Sequence, residues 1–207
     1  MTSAGDPFSG VPASDQAYFE RMAAEFAASG RPASVPRQAS TVVLMRTDGQ
    51  VLLMRRAMGM VFGGRWAFPG GSVDPADRVA DELETAANAA LREVREETGY
   101  ELDRADLIPW SRWLTPDFEP RRFDTYFFVG ALRSAAEVVD DSGEAEAHLW
   151  IMPADAVTRY ASGELSMLPP TAVTLRELAG HGTIDAVRAE AVHHDLAQPI
   201  IPGLRLG

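Results

Sequence analysis

The chain contains no cysteine, so neither a disulfide nor a thiolate metal site can form, an absence in keeping with a reducing cytoplasm. No apolar run approaches the roughly 20 residues that cross a bilayer. The opening MTSAGDPFSGVPASDQ has neither the basic start nor the apolar stretch of a secretory leader. A cytoplasmic protein without membrane association is therefore the expectation. Bases are in deficit, 19 against 30 acids, for a formal net charge of −11. That balance argues against a nucleic-acid or anionic-membrane partner, both of which need basic surface. The four histidines, His148, His181, His193 and His194, show no metal-ligand spacing, and the last two read as exposed tail.

What is present suits one globular domain. The 207 residues and 46% hydrophobic content are enough to bury a core, and there are no internal repeats or low-complexity linkers. Residues 1 to about 12 read as a mobile arm rich in Gly, Ser and Pro. Asp15 to Ala28 reads as a helix, with Tyr18, Met22 and Phe26 on one face and Gly30 beyond its end. STVVLMRT and VLLMRRA flank Asp48-Gly49, a hairpin signal. Gly63-Gly64 and Gly70-Gly71 bracket Trp66, Phe68 and Pro69. A helix is expected from near Ala80 to Thr98, stopped by Gly99, with Leu83, Ala87, Ala90, Leu91 and Val94 towards the core. WSRWLT, FDTYFFVGAL and AHLWIM are later strand candidates. PADAVTRYASG and PPTAVTLRELAG are helices that open on proline. The boundaries expected are an arm and short helix over 1–35, an α/β domain over 36–180, and a C-terminal extension over 181–207 packed on that domain or trailing from it.

The chemistry concentrates in Arg92-Glu93-Val94-Arg95-Glu96-Glu97-Thr98-Gly99. On a helix Glu93, Glu96 and Glu97 fall at i, i+3 and i+4 and share one face, at the edge of the apolar stripe. Two unit charges about 5 Å apart repel by roughly 3 kcal/mol at an effective dielectric of about 20. Arg92 offsets part of this, whereas Arg95 points away. Hard divalent cations relieve it best, because they take carboxylate oxygens. The alternative is a solvated, charged helix face.

Glycine, then a glutamate, then Arg-Glu-x-x-Glu-Glu-x-Gly resembles the Nudix box, and Phe68-Pro69-Gly70-Gly71 resembles the family's entry to it. The resemblance runs from about residue 40 to 178. It implies the Nudix fold, an α/β architecture in which a mixed, curved β-sheet is sandwiched between α-helices. The family usually has five residues between the box glycine and the first glutamate. Gly71 and Glu84, the glutamate in register with Arg92, are seven residues further apart than that. Glu84's supporting role is accordingly open, with Glu82 or Asp81 as substitutes. Leu52 to Ala57, the Val73-Asp74-Pro75-Ala76-Asp77 insertion, Trp113 to Pro116, Arg121 to Thr125 and Leu168 to Thr171 resemble the coenzyme A and acyl-coenzyme A diphosphatase branch.

The resemblance implies that Glu93, Glu96, Glu97 and the Gly71 backbone hold Mg²⁺ or Mn²⁺. Glu93, or a glutamate outside the box, would take a proton from the attacking water, with Glu144 the candidate and Glu146 the fallback. Arg92 would orient the glutamates. Arg55, Arg56, Arg65, Arg121 and Arg122 are candidates to hold substrate phosphates, the alternative being surface arginines paired with acids. Trp66 and Phe68 stack on a base or belong to the core, and Gly70 and Gly71 admit phosphates close to the backbone. The implied substrate is a small nucleotide diphosphate, foremost coenzyme A or acyl-coenzyme A, giving adenosine 3′,5′-bisphosphate and (acyl-)4′-phosphopantetheine. Alternatives are ADP-ribose, NADH or nucleoside triphosphates, or a non-catalytic binding module. Many relatives pair as homodimers, so a homodimer is a further expectation.

Overall fold

The computed structural model describes residues 13–60, 62–133, 138 and 143–202, so the expected N-terminal arm lies outside the described residues. In chain order the elements are α1 (Ala13–Ser29), β1 (Arg37–Met45), β2 (Val51–Arg56), β3 (Trp66–Ala67), β4 (Gly70–Ser72), α2 (Glu82–Thr98), β5 (Leu107–Leu114), β6 (Phe123–Ala131), β7 (Ala145–Ile151), α3 (Pro153–Ala161), α4 (Pro169–Leu178) and α5 (Ile184–Ala191).

The strands form one mixed sheet in the order β3-β2-β1-β6-β5, with β4 added to β1 and β7 to β2. β1 and β6 run parallel in register from Arg37↔Phe123 to Met45↔Ala131, and every other pairing between these named strands is antiparallel. β1 and β2 meet only at Met45↔Val51, where Asp48 and Gly49 turn the chain as the sequence led us to expect. Gly49 adopts φ 85° and the Asp48 carboxylate accepts the Gln50 N–H at 3.0 Å. Past that hairpin the strands diverge. β1 takes β4 along Ala39–Thr41, while β2 takes β3 and β7.

Period-two alternation splits β1 between two cores. Val43 and Met45 join Phe127, Trp110 and Trp113 beneath α3, α4 and α5, through Ala156, Val173, Leu175 and Val187. Val42 and Leu44 face the other way, joining Phe128, Leu52 and the Ala86, Ala87, Ala90 and Val94 stripe of α2. The sheet is thus sandwiched between helices, and burying both faces explains the nearly unbroken apolar sequence of β1.

The described residues of the C-terminal extension pack on the domain, and of the two histidines expected as exposed tail His193 is exposed whereas His194 is not. Val187 of α5 is fully buried. His194 Nδ1 lies 2.6 Å from the Trp110 carbonyl oxygen, and its ring lies 4.2 Å from the indole. Beyond it, Ile200 pairs with the edge of β5, its N–H donating to Arg112 O at 2.8 Å and its carbonyl accepting from Leu114 at 2.9 Å. No helix among the described residues is long and apolar enough to cross a membrane.

Candidate active site

α2 begins where Asp81 caps it, its side chain accepting the Glu84 N–H at 2.9 Å. It ends at Gly99, in the left-handed conformation at φ 71°. Between these stops, burying the Ala87, Ala90 and Val94 stripe rolls Glu93 and Glu97 inward against β4. Glu97 is 3% exposed and its Oε2 accepts the Gly70 N–H at 2.7 Å. Gly70 has φ 152°, and a Cβ there would run into Ser40 O and Thr41. At Gly71 a Cβ would overlap the Glu93 carboxylate. Bare backbone is therefore what allows β4 to lie against these acids.

Burial pushes the Glu97 carboxyl up to about 8. The Gly70 N–H opposes this, the charges of Glu93 and Glu144 add to it, and Arg56 opposes it. Glu93 is also raised, first by burial, against the charge and hydrogen bond of Arg92, and with repulsion from Glu96 and Glu144. Two buried carboxyls raised by burial and by the charge of nearby Glu144 form a hard-oxygen donor set that suits a divalent cation. Glu93, Glu97, Glu144 and the glycine backbone fit that role. Glu96 sits further out, half-exposed and 3.0 Å from Arg92 Nη1. Among the described residues no three acidic or histidine side chains are already closed around one cation position, since Arg92 draws Glu93 and Glu96 to itself.

Arg92 is the hub of this edge. Its guanidinium donates to Glu93 Oε1 at 2.9 Å, Glu96 Oε2 at 3.0 Å, Ser72 O at 2.9 Å and Asp77 Oδ2 at 2.9 Å. Asp77 was missed as a site residue. Five residues separate it from Gly71, and its carboxyl is held below the usual range. Burial pushes it upward, but hydrogen bonds from Arg92 and the Asp74 N–H, with the Arg92 charge, outweigh that. The expectation for Glu84, Glu82 and Asp81 is corrected here. Glu84 pairs with Arg104 at 2.6 Å, Glu82 lies 3.9 Å from Arg112, and Asp81 caps α2. The extra residues thus follow the acid that braces Arg92 rather than precede it.

These acids border a cavity of about 890 Å³, with Glu93, Glu144, Gly70, Gly71 and Arg56 at one end. Glu144 also shares a small cleft with Glu97 and Arg56. Glu146 goes elsewhere, to Arg55 at 3.3 Å and the Met58 N–H at 3.2 Å. The divergence has a backbone cause. β7 pairs Ala147 with Arg55 and Ala145 with Arg56, so Glu146 is the extra residue of a bulge, a feature that re-aims side chains.

The arginines expected at substrate phosphates divide. Arg56 lines the cavity beside the glutamates and Arg121 lines it at the outer end. Arg55 is held by Glu146 outside it, and Arg65 reaches the Met167 carbonyl at 3.4 Å. Arg122 borders the cavity but is 8% exposed, and its guanidinium is tied to Thr115 O, Ser34 O and Asp117. It braces the loop rather than offering a free fork. Phe68, 3% exposed, belongs to the core and also borders the cavity, whereas Trp66 packs partly buried on the same core outside the lining. Phe19 of α1 unexpectedly lines the outer end, 5.9 Å from Phe118.

The family model of the NUDIX domain matches residues 35–170. The chain belongs to the Nudix family. Curated relatives include the acyl-coenzyme A diphosphatase NUDT19 of Homo sapiens, 36% identical over 38% of this chain and 21% of that protein. The nucleoside triphosphatase NudI of Escherichia coli O9:H4 is 30% identical over 55% of this chain and 81% of that protein. Against the acyl-coenzyme A diphosphatases the chain spans only 21 to 25% of their length. Among solved structures, a NUDIX hydrolase from Alicyclobacillus acidocaldarius aligns with a TM-score of 0.68 at 28% identity, covering 75% of this chain and 96% of that one. Hydrolases of this family act on pyrophosphate bonds in small nucleotide derivatives and generally use divalent metals.

Proposed function

We propose that the chain cleaves the diphosphate of coenzyme A or acyl-coenzyme A, releasing adenosine 3′,5′-bisphosphate and (acyl-)4′-phosphopantetheine, with Mg²⁺ or Mn²⁺ as cofactor. The observation that carries the reading is that Glu93 and Glu144 line the cavity beside Gly70 and Gly71, with buried Glu97 behind them sharing a cleft with Glu144 and raised by the charge of both. Glu93 and Glu97, with the Gly71 backbone and Glu96 when it swings from Arg92, would hold the cation. When bound, it supplies charge neutralisation and polarisation of the diphosphate. Glu144 accepts a proton from the attacking water. Arg56 meets the developing negative charge at the same end. Arg92, pinned by Asp77, keeps Glu93 in position, and the missing side chains of the two glycines leave room for phosphate oxygens.

The coenzyme A assignment draws its support from the 36% identity with the human acyl-coenzyme A diphosphatase and from the insertion after Gly71. A second reading, nucleoside triphosphate hydrolysis, is favoured by the longer alignment with NudI. Mass-spectrometric identification of products separates them, using coenzyme A, ADP-ribose, NADH and nucleoside triphosphates with Mg²⁺, Mn²⁺ or chelator. Adenosine 3′,5′-bisphosphate from coenzyme A, abolished by chelator, is the expected result. Rapid turnover of a triphosphate with coenzyme A untouched would overturn it.

A further inference from the structure

We propose that Arg37 and Arg121 form a second anion site at the outer end of the cavity, which takes a phosphate monoester on the substrate's ribose, away from the scissile diphosphate. The inference rests on the reading of the inner end as the diphosphate site and narrows the substrate class. It favours nucleoside diphosphate derivatives with an additional ribose phosphate over those with a bare ribose.

Arg37 opens β1, and its amide N–H donates to the Arg122 carbonyl oxygen at 2.9 Å, which brings it beside Arg121 on the neighbouring segment. Both side chains line the cavity and both residues are exposed. Every one of the 19 bases is an arginine, in a chain of net charge −11, and acids take many of them. Glu146 holds Arg55, Glu84 holds Arg104, Asp124 holds Arg112 and Asp106 holds Arg133. Arg37 and Arg121 form no ion pair among the described residues. The acids of the adjoining loop already have partners, Asp117 bonding Arg122 at 2.6 Å and Glu119 accepting from Tyr18. Two arginines on adjoining segments that both line the cavity, with no counter-ion among the described residues, suit a dianionic phosphate that can accept forked hydrogen bonds.

The spacing separates this site from the diphosphate. Arg37 lies three residues before Ser40, the partner of Gly71. At a strand rise of about 3.3 Å per residue, that is roughly 10 Å along β1, further than a diphosphate alone extends, so a phosphate held there stands on another part of the substrate. Phe19, Phe123 and Pro120 also line the cavity and present apolar faces on which a base can rest.

Calorimetric titration of adenosine 3′,5′-bisphosphate and of AMP, without divalent cation, tests the site without any turnover. The wild-type chain should bind the bisphosphate about tenfold more tightly than AMP. The R37Q/R121Q double variant, its fold checked by an unchanged melting temperature, should bind the two alike. Equal affinities in the wild type, no binding of either nucleotide at millimolar concentration, or a preference retained in the variant would overturn the anion site. A chain that shows the preference but leaves coenzyme A intact keeps the anion site and loses the substrate reading. One that cleaves coenzyme A without the preference loses only the anion site.

Discussion

Asp77 and Arg92 close a two-point contact beneath the glutamates, Arg92 Nη2 lying 2.9 Å from Asp77 Oδ2 and Nε 3.2 Å from Oδ1. Asp77 is only 6% exposed, so little water competes for either partner. The same guanidinium holds Glu93 and Glu96, which ties the position of those acids to an aspartate outside their helix.

Asp77→Ala should therefore lower kcat by about 10- to 100-fold through loss of orientation and cost about 2 kcal/mol of stability. Asp77→Glu, which keeps the charge, should recover part of both. Steady-state kinetics with thermal melts would measure this, and full activity in Asp77→Ala would remove the bracing role.

Gly71→Ala places a methyl group on the Glu93 carboxylate. One of the two must move, at about 1–3 kcal/mol, and displacement near the reacting centre costs about 100-fold in rate. A fold that persists by circular dichroism alongside lost turnover is expected, and an undiminished kcat would contradict the close approach.

Glu144→Gln should reduce kcat by about 10²- to 10⁴-fold if it takes the proton. Glu146→Gln should change kcat little, because that side chain is turned to Arg55 at the surface. Equal losses in both variants would refute the division made by the bulge.

In chelator, Glu97 should set a pH dependence of stability. Its ordinary value is 4.5 and burial lifts it to about 8 in the folded chain, so the native state favours the protonated form. That contribution is complete below about 4.5 and is lost as pH rises through 8. Glu93 shifts in the same direction. Glu97→Gln keeps an acceptor for the Gly70 N–H without the charge. It should melt higher than the wild type by an amount that grows between pH 5 and 8, on the order of 3 kcal/mol at the upper end. Parallel melting curves across that range would exclude the effect.

The elements of the fold were largely legible in the sequence because each carried its own local signal. α2 had its apolar spacing and Gly99, the first hairpin had Asp48-Gly49, and α3 and α4 had their prolines. α5 escaped because its apolar residues are few and it spans only Ile184–Ala191, and the packing of His194 on Trp110 is a tertiary fact with no local trace. At the site, clustering of the glutamates followed from helical period alone. Asp77 did not, because the register with Arg92 points to Glu84, whereas the acid that meets Arg92 keeps its spacing from Gly71. Arg55 and Arg56 face opposite ways along β2, and their identity says nothing about which face meets the acids. The bulge that parts Glu144 from Glu146 needs the partner strand to be known.

Ile200 has one more effect. β5 ends the sheet, and an uncovered terminal strand is a template on which another chain can add itself. The two hydrogen bonds through Ile200 occupy part of that template from within the same molecule. Removing residues 195–202 would bare it, and the first symptom should be self-association at concentrations where the intact protein stays dispersed.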